Sequence, residues 1–228
     1  IRGVMIRDNL KDIERTLKSG VRLVAVSKYH PVEALQEAYD AGQRIFGESH
    51  VQELVAKHEA LPQEDIDWHF IGHLQTNKVK YMASFIGLIH SVDSMKLLRE
   101  IDKQGKKAGR IIDVLLQLHV AAEETKFGLS PEEVVDMLES EEFPSLKNVR
   151  VVGLMAMATN TDDEELVAEE FECVRKFFHF LKQNYFSDKS EFKELSMGMS
   201  GDYRIAIECG STMVRIGTTI FGARNYSK

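Results

Sequence analysis

The chain has 228 residues, 43% of them hydrophobic, which is enough for one well-buried core. Its formal charge of −7 argues against a surface for nucleic acid, which needs clustered Lys and Arg. No apolar run approaches the roughly 20 residues that cross a bilayer, and the charged residues 1–20 do not resemble a signal peptide. We therefore expect one cytoplasmic domain over residues 1–228, with neither nucleic acid nor membrane as a partner.

Short apolar runs rich in β-branched residues alternate with longer stretches of helical periodicity along the chain. Eight of these runs are predicted as strands: 21–27, 44–47, 68–72, 88–91, 111–120, 149–157, 194–197 and 213–217. This alternation is typical of βα units around a parallel sheet. Because several runs are apolar nearly throughout, the pattern favours a closed (β/α)8 TIM barrel over the alternative, an open doubly wound sheet.

Two of the intervening helices carry N-terminal signals. Ser130-Pro131-Glu132-Glu133 combines an N-cap, a proline in the first turn and a glutamate at the third position. Thr161 with Glu164 predicts a second capping box, followed by an apolar stripe of Val167, Phe171, Val174, Phe178 and Leu181. We interpret the acidic residues at both helix starts as partners of the helix dipole, not as acid-base catalysts.

The cysteines and histidines do not predict a metal site. Cys173 and Cys209 are too few and too distant for a disulfide framework or a metal knuckle, so we expect free thiols in or near the core. Four residues of extended strand, as between His69 and His73, span about 13 Å, too far for two ligands of one zinc ion. Three more histidines fall near predicted strand ends, where hydrogen bonding explains them as well as catalysis does: His30, His90 and His119.

Lys28 directly follows the first predicted strand, where the chain turns through Tyr29-His30-Pro31 into a helix. In a barrel the working surface lies at the carboxyl ends of the strands. A lysine partly removed from water there would lose proton affinity and could add as an amine to an aldehyde. The alternative is a surface lysine with its head in water, and Lys28 alone does not decide between the two.

The segments 196–203 and 215–219, after predicted strands seven and eight, suit an anion. Barrels commonly build a phosphate site from these two loops. The residues that could meet the anion are small or carry a hydroxyl: Gly198, Ser200, Gly201, Gly217 and Thr218. Neither segment matches the P-loop or the dinucleotide fingerprint, and glycines at turns are the alternative explanation.

Several long motifs occur in one order over nearly the whole chain. They are Ala25-Val26-Ser27-Lys28, Phe46-Gly47-Glu48 with Val51-Gln52-Glu53, residues 69–78, Lys126-Phe127-Gly128, Gly153-Leu154-Met155, residues 195–200 and residues 210–217. With these motifs the chain resembles the YggS/PROSC-type pyridoxal phosphate homeostasis proteins, which have a barrel similar to the N-terminal domain of alanine racemase. Ser49-His50 departs from the family pattern, which has Asn-Tyr at this place; a serine could still bond a cofactor oxygen, but with shorter reach.

The resemblance implies that pyridoxal 5′-phosphate (PLP) is bound as a Schiff base on Lys28, with its phosphate near Ser200, Gly217 and Thr218. It also implies that Arg215 lies against the pyridine nitrogen. A permanently protonated guanidinium donates but does not accept, so it leaves the ring nitrogen unprotonated and the cofactor a weak electron sink.

Three functions are compatible with these observations. The resemblance implies a carrier that regulates free PLP without robust turnover and with no catalytic residue. We expect a monomer rather than a large oligomer, and PLP-dependent apoenzymes as recipients of the cofactor. The alternative is a PLP enzyme such as a racemase, which needs a base on each face of its substrate; alanine racemase takes one from a second domain, which we do not find before Lys228. A sugar-phosphate barrel enzyme without PLP would leave the motifs unexplained.

Overall fold

A computed structural model describes residues 5–123 and 127–223. Within these ranges eight parallel strands pair in sequence order, and β8 pairs with β1, which closes the sheet into a barrel. The strands are β1 Arg22–Val26, β2 Ile45–Glu48, β3 Asp67–Phe70, β4 Leu88–Val92, β5 Ile112–His119, β6 Val149–Met157, β7 Glu194–Met197 and β8 Met213–Ile216. The closed strand order confirms the (β/α)8 barrel, and the doubly wound alternative is excluded.

Helices connect the strands and precede the first. They are α1 Ile6–Glu14, α2 Val32–Asp40, α3 Val51–Ala60, α4 Met95–Ala108, α5 Pro131–Glu139, α6 Glu164–Asn184, α7 Tyr203–Glu208 and α8 Thr218–Phe221, with short 3-10 helices at Thr76–Tyr81 and Phe143–Ser145. No helix in the described part of the chain is long and apolar enough to span a bilayer.

All eight predicted strands are present, and β6 and β7 have the predicted limits. The largest difference is at β3, which ends at Phe70, two residues before the predicted limit of 72. A Cβ atom at Gly72 would lie 2.5 Å from the carbonyl oxygen of Ser49. The chain after β3 therefore passes close over the end of β2 instead of extending the ladder.

The strand side chains alternate between two cores, as the pleat of a barrel strand requires. The outward side chains join the helices in one large apolar core. A smaller apolar cluster lies inside the barrel and comprises Val24, Leu88, Leu115, Val152, Met155 and Met213. Alternation also directs buried polar residues inward, among them His69, His90, Ser196 and Arg215. The barrel interior is therefore partly polar.

The predicted start of α5 is confirmed. The Ser130 hydroxyl accepts from the N–H of Glu133 at 3.1 Å, and the Glu133 carboxylate accepts from the N–H of Ser130 at 2.8 Å. These two bonds form the capping box that the sequence predicts.

The predicted capping box of α6 is wrong. Its N-cap is Asp163, not Thr161, and the Asp163 carboxylate accepts from the N–H of Leu166 at 3.2 Å. A carboxylate directly before the first helical residue satisfies an open N–H group and also meets the positive end of the helix dipole. Thr161 lies outside the helix and accepts from the N–H of Asp163 instead.

Both cysteines are free, but they differ in burial. Cys209 is half-buried against the core, as expected. Cys173 is exposed, so the expectation that it lies in or near the core is wrong. It falls between Phe171 and Val174, two buried residues of the α6 stripe, and a residue at that helical position points away from the core.

Candidate functional site

Lys28 stands in a tight turn directly after β1. The turn runs from Ser27 to His30 and is closed by a bond from the N–H of His30 to the carbonyl oxygen of Ser27, at 3.0 Å. Tyr29, the third residue of the turn, has a φ of +69°. L-residues rarely adopt such a φ, and turns that need it usually place Gly or Asn there. Lys28 is therefore presented on strained backbone at the end of a barrel strand.

Four side chains hold this turn from the outer side of the barrel wall, and we call them the Lys57 cluster: Ser27, Glu48, Glu53 and Lys57. The Lys57 ammonium donates to the Ser27 carbonyl oxygen at 2.7 Å, to the Glu48 carboxylate at 2.9 Å and to the Glu53 carboxylate at 2.7 Å. The Ser27 hydroxyl donates to Glu48 at 2.5 Å, and the N–H of Tyr29 donates to Glu53 at 2.6 Å. The residues on both sides of Lys28 are thus bonded to the cluster.

Burial makes one carboxylate of the Lys57 cluster costly to ionise. Glu48 is fully buried. Burial raises the pKa of Glu48 to about 7, although the Lys57 ammonium and the Ser27 hydroxyl oppose the rise. Its Oε1 atom has no hydrogen-bond partner among the described residues. The cluster therefore combines one ammonium with two carboxyl groups, one of which titrates near neutral pH.

A cavity of about 660 Å³ opens beside Lys28. All five residues predicted to bind a cofactor line it: Lys28, Ser200, Arg215, Gly217 and Thr218. Within the described part of the chain, Lys28 is the only lysine that lines this cavity. The structure thus brings together residues from both ends of the sequence. An adjoining cavity of about 600 Å³, between α3 and the Thr76–Tyr81 helix, shares Ser49, His50 and His73 with it.

The loops after β7 and β8 approach each other closely at the cavity. Gly198 has a φ of +105°, and a Cβ atom there would lie 2.8 Å from the Cβ of Ala206. A Cβ atom at Gly217 would lie 3.0 Å from the carbonyl oxygen of Val26 at the end of β1. The carbonyl oxygen of Gly198 accepts from the N–H of Arg215 at 2.9 Å, which joins the two loops. Small residues therefore bring loop backbone to the cavity wall next to Lys28.

Arg215 points from β8 into the barrel and is only 3% exposed. Its Nη1 donates to the Ser196 hydroxyl at 2.5 Å, and its Nη2 donates to the Ala156 carbonyl oxygen at 3.1 Å. Burial lowers the pKa of Arg215 to about 10, against the attraction of Asp202. Arg215 therefore remains a cation at neutral pH, held inside the barrel by two fixed acceptors.

The bonds of Arg215 continue through the barrel in a row that we call the Arg215 chain: Arg215, Ser196, His90, His69 and Asp67. The Ser196 hydroxyl lies 2.9 Å from His90 Nδ1, His90 Nε2 lies 2.9 Å from His69 Nδ1, and His69 Nε2 lies 3.2 Å from an Asp67 oxygen. Because a guanidinium only donates and a carboxylate only accepts, all four bonds can run in one direction with both imidazoles neutral. Burial lowers the pKa of His90 far below its usual value, which fits a neutral ring.

The two histidines of the rejected metal hypothesis have different surroundings. His69 belongs to the Arg215 chain, whereas the half-exposed His73 stacks on Phe127 at the cavity mouth, with ring centroids 3.9 Å apart. No group of three His, Cys, Asp or Glu side chains is placed to hold a metal ion in residues 5–123 and 127–223. Lys126, in one of the sequence motifs, lies outside the described residues.

Sequence reasoning missed the residues behind Lys28 and Arg215. Glu48 and Glu53 stand in a motif without an assigned role, and Lys57 is not singled out. One signal was available: Lys57 lies three residues after Leu54, on the buried face of α3, and four after Glu53. A lysine on a core face needs a buried partner. The partners of His90 carried no such signal, because Ser196 is 106 residues away.

Comparison with known proteins gives a consistent result. Residues 2–225 match the family described as alanine racemase, N-terminal domain. The pyridoxal phosphate homeostasis protein of Aquifex aeolicus is 43% identical over 205 residues, which are 90% of this chain and 88% of the relative. The structure of PipY from Synechococcus elongatus without PLP is 36% identical with a TM-score of 0.89, over 96% of this chain and 100% of PipY. The structure of PipY with PLP bound has a TM-score of 0.85 at 35% identity, over the same shares.

Proposed function

Because the chain belongs to the pyridoxal phosphate homeostasis protein family, built on the barrel of the alanine racemase N-terminal domain, we propose that it binds PLP and serves PLP homeostasis. The observation that carries the proposal is the cavity at the strand ends. Its one described lysine, Lys28, lies beside two close loops and a buried arginine.

PLP has three groups that a protein must meet, and the cavity offers a partner for each. Lys28 supplies an amine for the aldehyde. Ser200, Gly217 and Thr218 supply hydroxyl and backbone N–H groups for the phosphate. Arg215 supplies a fixed donor for the ring nitrogen. The residues present therefore fit the cofactor, although they lie on three different segments of the chain.

The cofactor supplies a reactive aldehyde. Lys28 would hold this group as a Schiff base, its neutral amine adding to the aldehyde carbon with loss of one water. Lys28 would thus mask the aldehyde, and an incoming amine that takes its place would free the lysine. The strained turn aims the amine and the loops hold the phosphate end, so the two contacts fix the cofactor at both ends.

We propose a carrier without robust turnover, and we assign no catalytic residue. Arg215 donates to the ring nitrogen without protonating it, so carbanion chemistry at a bound amino acid gains little from the ring. The racemase alternative needs a base on each face of the substrate carbon, and the resemblance supplies only one of them, Lys28. PLP-dependent apoenzymes are the proposed recipients, and a monomer is the proposed working form.

Borohydride reduction after incubation with PLP tests whether Lys28 is the residue that forms the Schiff base. We expect a reduced pyridoxyl group on Lys28, which blocks tryptic cleavage there and yields the peptide 23–44. Lys28→Ala abolishes the adduct and its visible absorbance, whereas Lys78→Ala, in the adjoining cavity, retains both. Absence of an adduct, or an adduct on another lysine, contradicts the proposal.

Exchange of the α-proton of amino acids in deuterated water separates carrier from enzyme. We expect the PLP-loaded protein to exchange no faster than free PLP at the same concentration. Fast exchange that disappears in Lys28→Ala supports the racemase-like alternative and contradicts the carrier.

A further inference from the structure

We propose that Glu53 and Lys57 are positioning residues for Lys28: they hold the Ser27–His30 turn in the conformation that presents the Lys28 amine to PLP. This inference rests on the proposed function, because it concerns the same lysine. Glu53 and Lys57 line no part of the Lys28 cavity in the described chain, so they act only through the turn.

The contacts of Lys57 show what its ammonium does. An ammonium has three N–H donors, and Lys57 uses all three, on Ser27, Glu48 and Glu53. Its nitrogen is buried and saturated, so it neither reacts with an aldehyde nor meets a ligand. Its effect is to draw two carboxyl groups to one point behind the turn and to fix the carbonyl oxygen of Ser27.

The contact of Glu53 acts on the strained residue itself. Tyr29 keeps its φ of +69° only while its neighbours hold it there. Its N–H donates to Glu53 at 2.6 Å, and the same carboxylate oxygen accepts from Lys57. Lys57 thus orients Glu53, and Glu53 orients the peptide between Lys28 and Tyr29.

The position of these bonds distinguishes a positioning role from general stabilisation. Ser27 and Tyr29 flank Lys28 in sequence, and both are bonded to the cluster. Bonds on both sides fix the backbone from which the Lys28 side chain extends. The loops after β7 and β8 fix the phosphate end of PLP, so only a narrow range of turn conformations lets the amine reach the aldehyde.

A series at position 53 tests the inference by the rate at which PLP forms its Lys28 adduct. Glu53→Leu removes the acceptor, and we expect the rate to fall about tenfold, the effect of one charge-assisted hydrogen bond. Glu53→Gln keeps an acceptor oxygen and is expected to stay within about threefold of the parent. Glu59→Leu, the same change at an exposed residue of α3, serves as the matched control and leaves the rate unchanged.

Glycine at position 29 provides a rescue that a purely structural role does not predict. Glycine adopts positive φ without strain, so Tyr29→Gly weakens the need for the Glu53 bond. In a double-mutant cycle, we expect Glu53→Leu to slow adduct formation much less in the Tyr29→Gly background than in the parent. Equal losses in both backgrounds overturn the inference.

Amide hydrogen exchange in protein without PLP gives a readout independent of the cofactor. Loss of the Glu53 bond is expected to accelerate exchange at Tyr29 at least tenfold, while amides in β5 and β6 are unchanged. A parent protein that forms no Lys28 adduct refutes the proposed function. If the parent forms the adduct but Glu53→Leu matches it in rate and in Tyr29 exchange, only the positioning role is refuted.

Discussion

Two buried polar networks flank the Lys28 cavity, and they balance their charges in opposite ways. The Lys57 cluster packs an ammonium directly against two carboxyl groups, behind the barrel wall. The Arg215 chain keeps its cation and its carboxylate at opposite ends, with a hydroxyl and two imidazoles between them. The first arrangement fixes the position of a backbone turn. The second fixes the direction of a row of hydrogen bonds.

The largest loss of stability is expected in the Lys57 cluster, where oppositely charged groups are in direct contact. Lys57→Met leaves Glu48 and Glu53 facing each other without a counter-charge, and the free energy of unfolding should fall by about 3–5 kcal/mol. Urea unfolding monitored by circular dichroism measures the loss. A loss below about 1 kcal/mol would show that the cluster contributes no more than a surface ion pair.

The Lys57 cluster should also make stability depend on pH. The pKa of Glu48 is about 7 in the folded protein against an ordinary value of 4.5, so the folded state holds the proton more tightly than the unfolded state. The Glu48 contribution to the free energy of unfolding therefore falls as pH rises from about 4.5 to 7, by up to about 3 kcal/mol.

Glu48→Gln removes this titration, because its amide carries no charge at any pH. The difference in unfolding free energy between Glu48→Gln and the parent should shift in favour of the variant between pH 5 and pH 8. Urea unfolding at several pH values measures that difference. A difference that stays constant over this range contradicts the raised pKa.

Removal of the Ser196 hydroxyl, an uncharged member of the Arg215 chain, should lower stability less than Lys57→Met does. It should change the absorbance of bound PLP more. Ser196→Ala removes an acceptor from Arg215 and a donor to His90, at a cost of about 1–3 kcal/mol. Because Arg215 then loses one of its two fixed acceptors, we also expect a changed pH dependence of the visible absorbance with PLP bound.

Ser211→Ala is the matched control for this prediction. Ser211 is also buried, and its hydroxyl donates to the carbonyl oxygen of Met197 at 2.7 Å, away from Arg215. Its removal should cost similar stability and leave the absorbance titration unchanged. Identical titrations of both variants would refute a link between Ser196 and the cofactor.

The smallest effect is expected at the outer end of the Arg215 chain. The Asp67 side chain is 41% exposed, and Asp67→Asn keeps an oxygen that accepts from His69. Its unfolding free energy should change by less than about 1 kcal/mol, measured as above. Asp67→Leu, which leaves a buried N–H of His69 unpaired, should cost more. If Asp67→Asn proves as costly as Lys57→Met, the contrast between the two networks fails.

The barrel was predictable because its signals are local. β6 and β7 were placed to the residue by apolar runs and their flanking turns, and the cap of α5 by four consecutive residues. The cap of α6 was misplaced because Thr161 and Asp163 both suit an N-cap and only the helix start decides between them.

The candidate site was predictable only in part, for a physical reason. Lys28 and the glycine-bearing loops could be predicted because they directly follow predicted strands. In a barrel the carboxyl ends of the strands form the working surface. The bond between His90 and Ser196 depends on which strands face each other across the barrel interior. The sequence of a single strand does not indicate which strand lies opposite it. Lys57 was missed because a lysine on a helix ordinarily extends its ammonium into solvent, so nothing in its residue type marks it as buried.

The Lys57 cluster has a consequence for the order in which the site forms. Its bonds span at most 30 residues, from Ser27 to Lys57, whereas the Arg215 chain includes a contact across 106 residues. Contacts between residues near in sequence close shorter loops and form faster than contacts between distant residues. The turn that carries Lys28 can therefore be shaped before the longest-range contacts of the barrel form. Arg215 and the loops after β7 and β8, which complete the cavity wall, join later in folding. The Lys28 side of the cavity is thus expected to form before the Arg215 side.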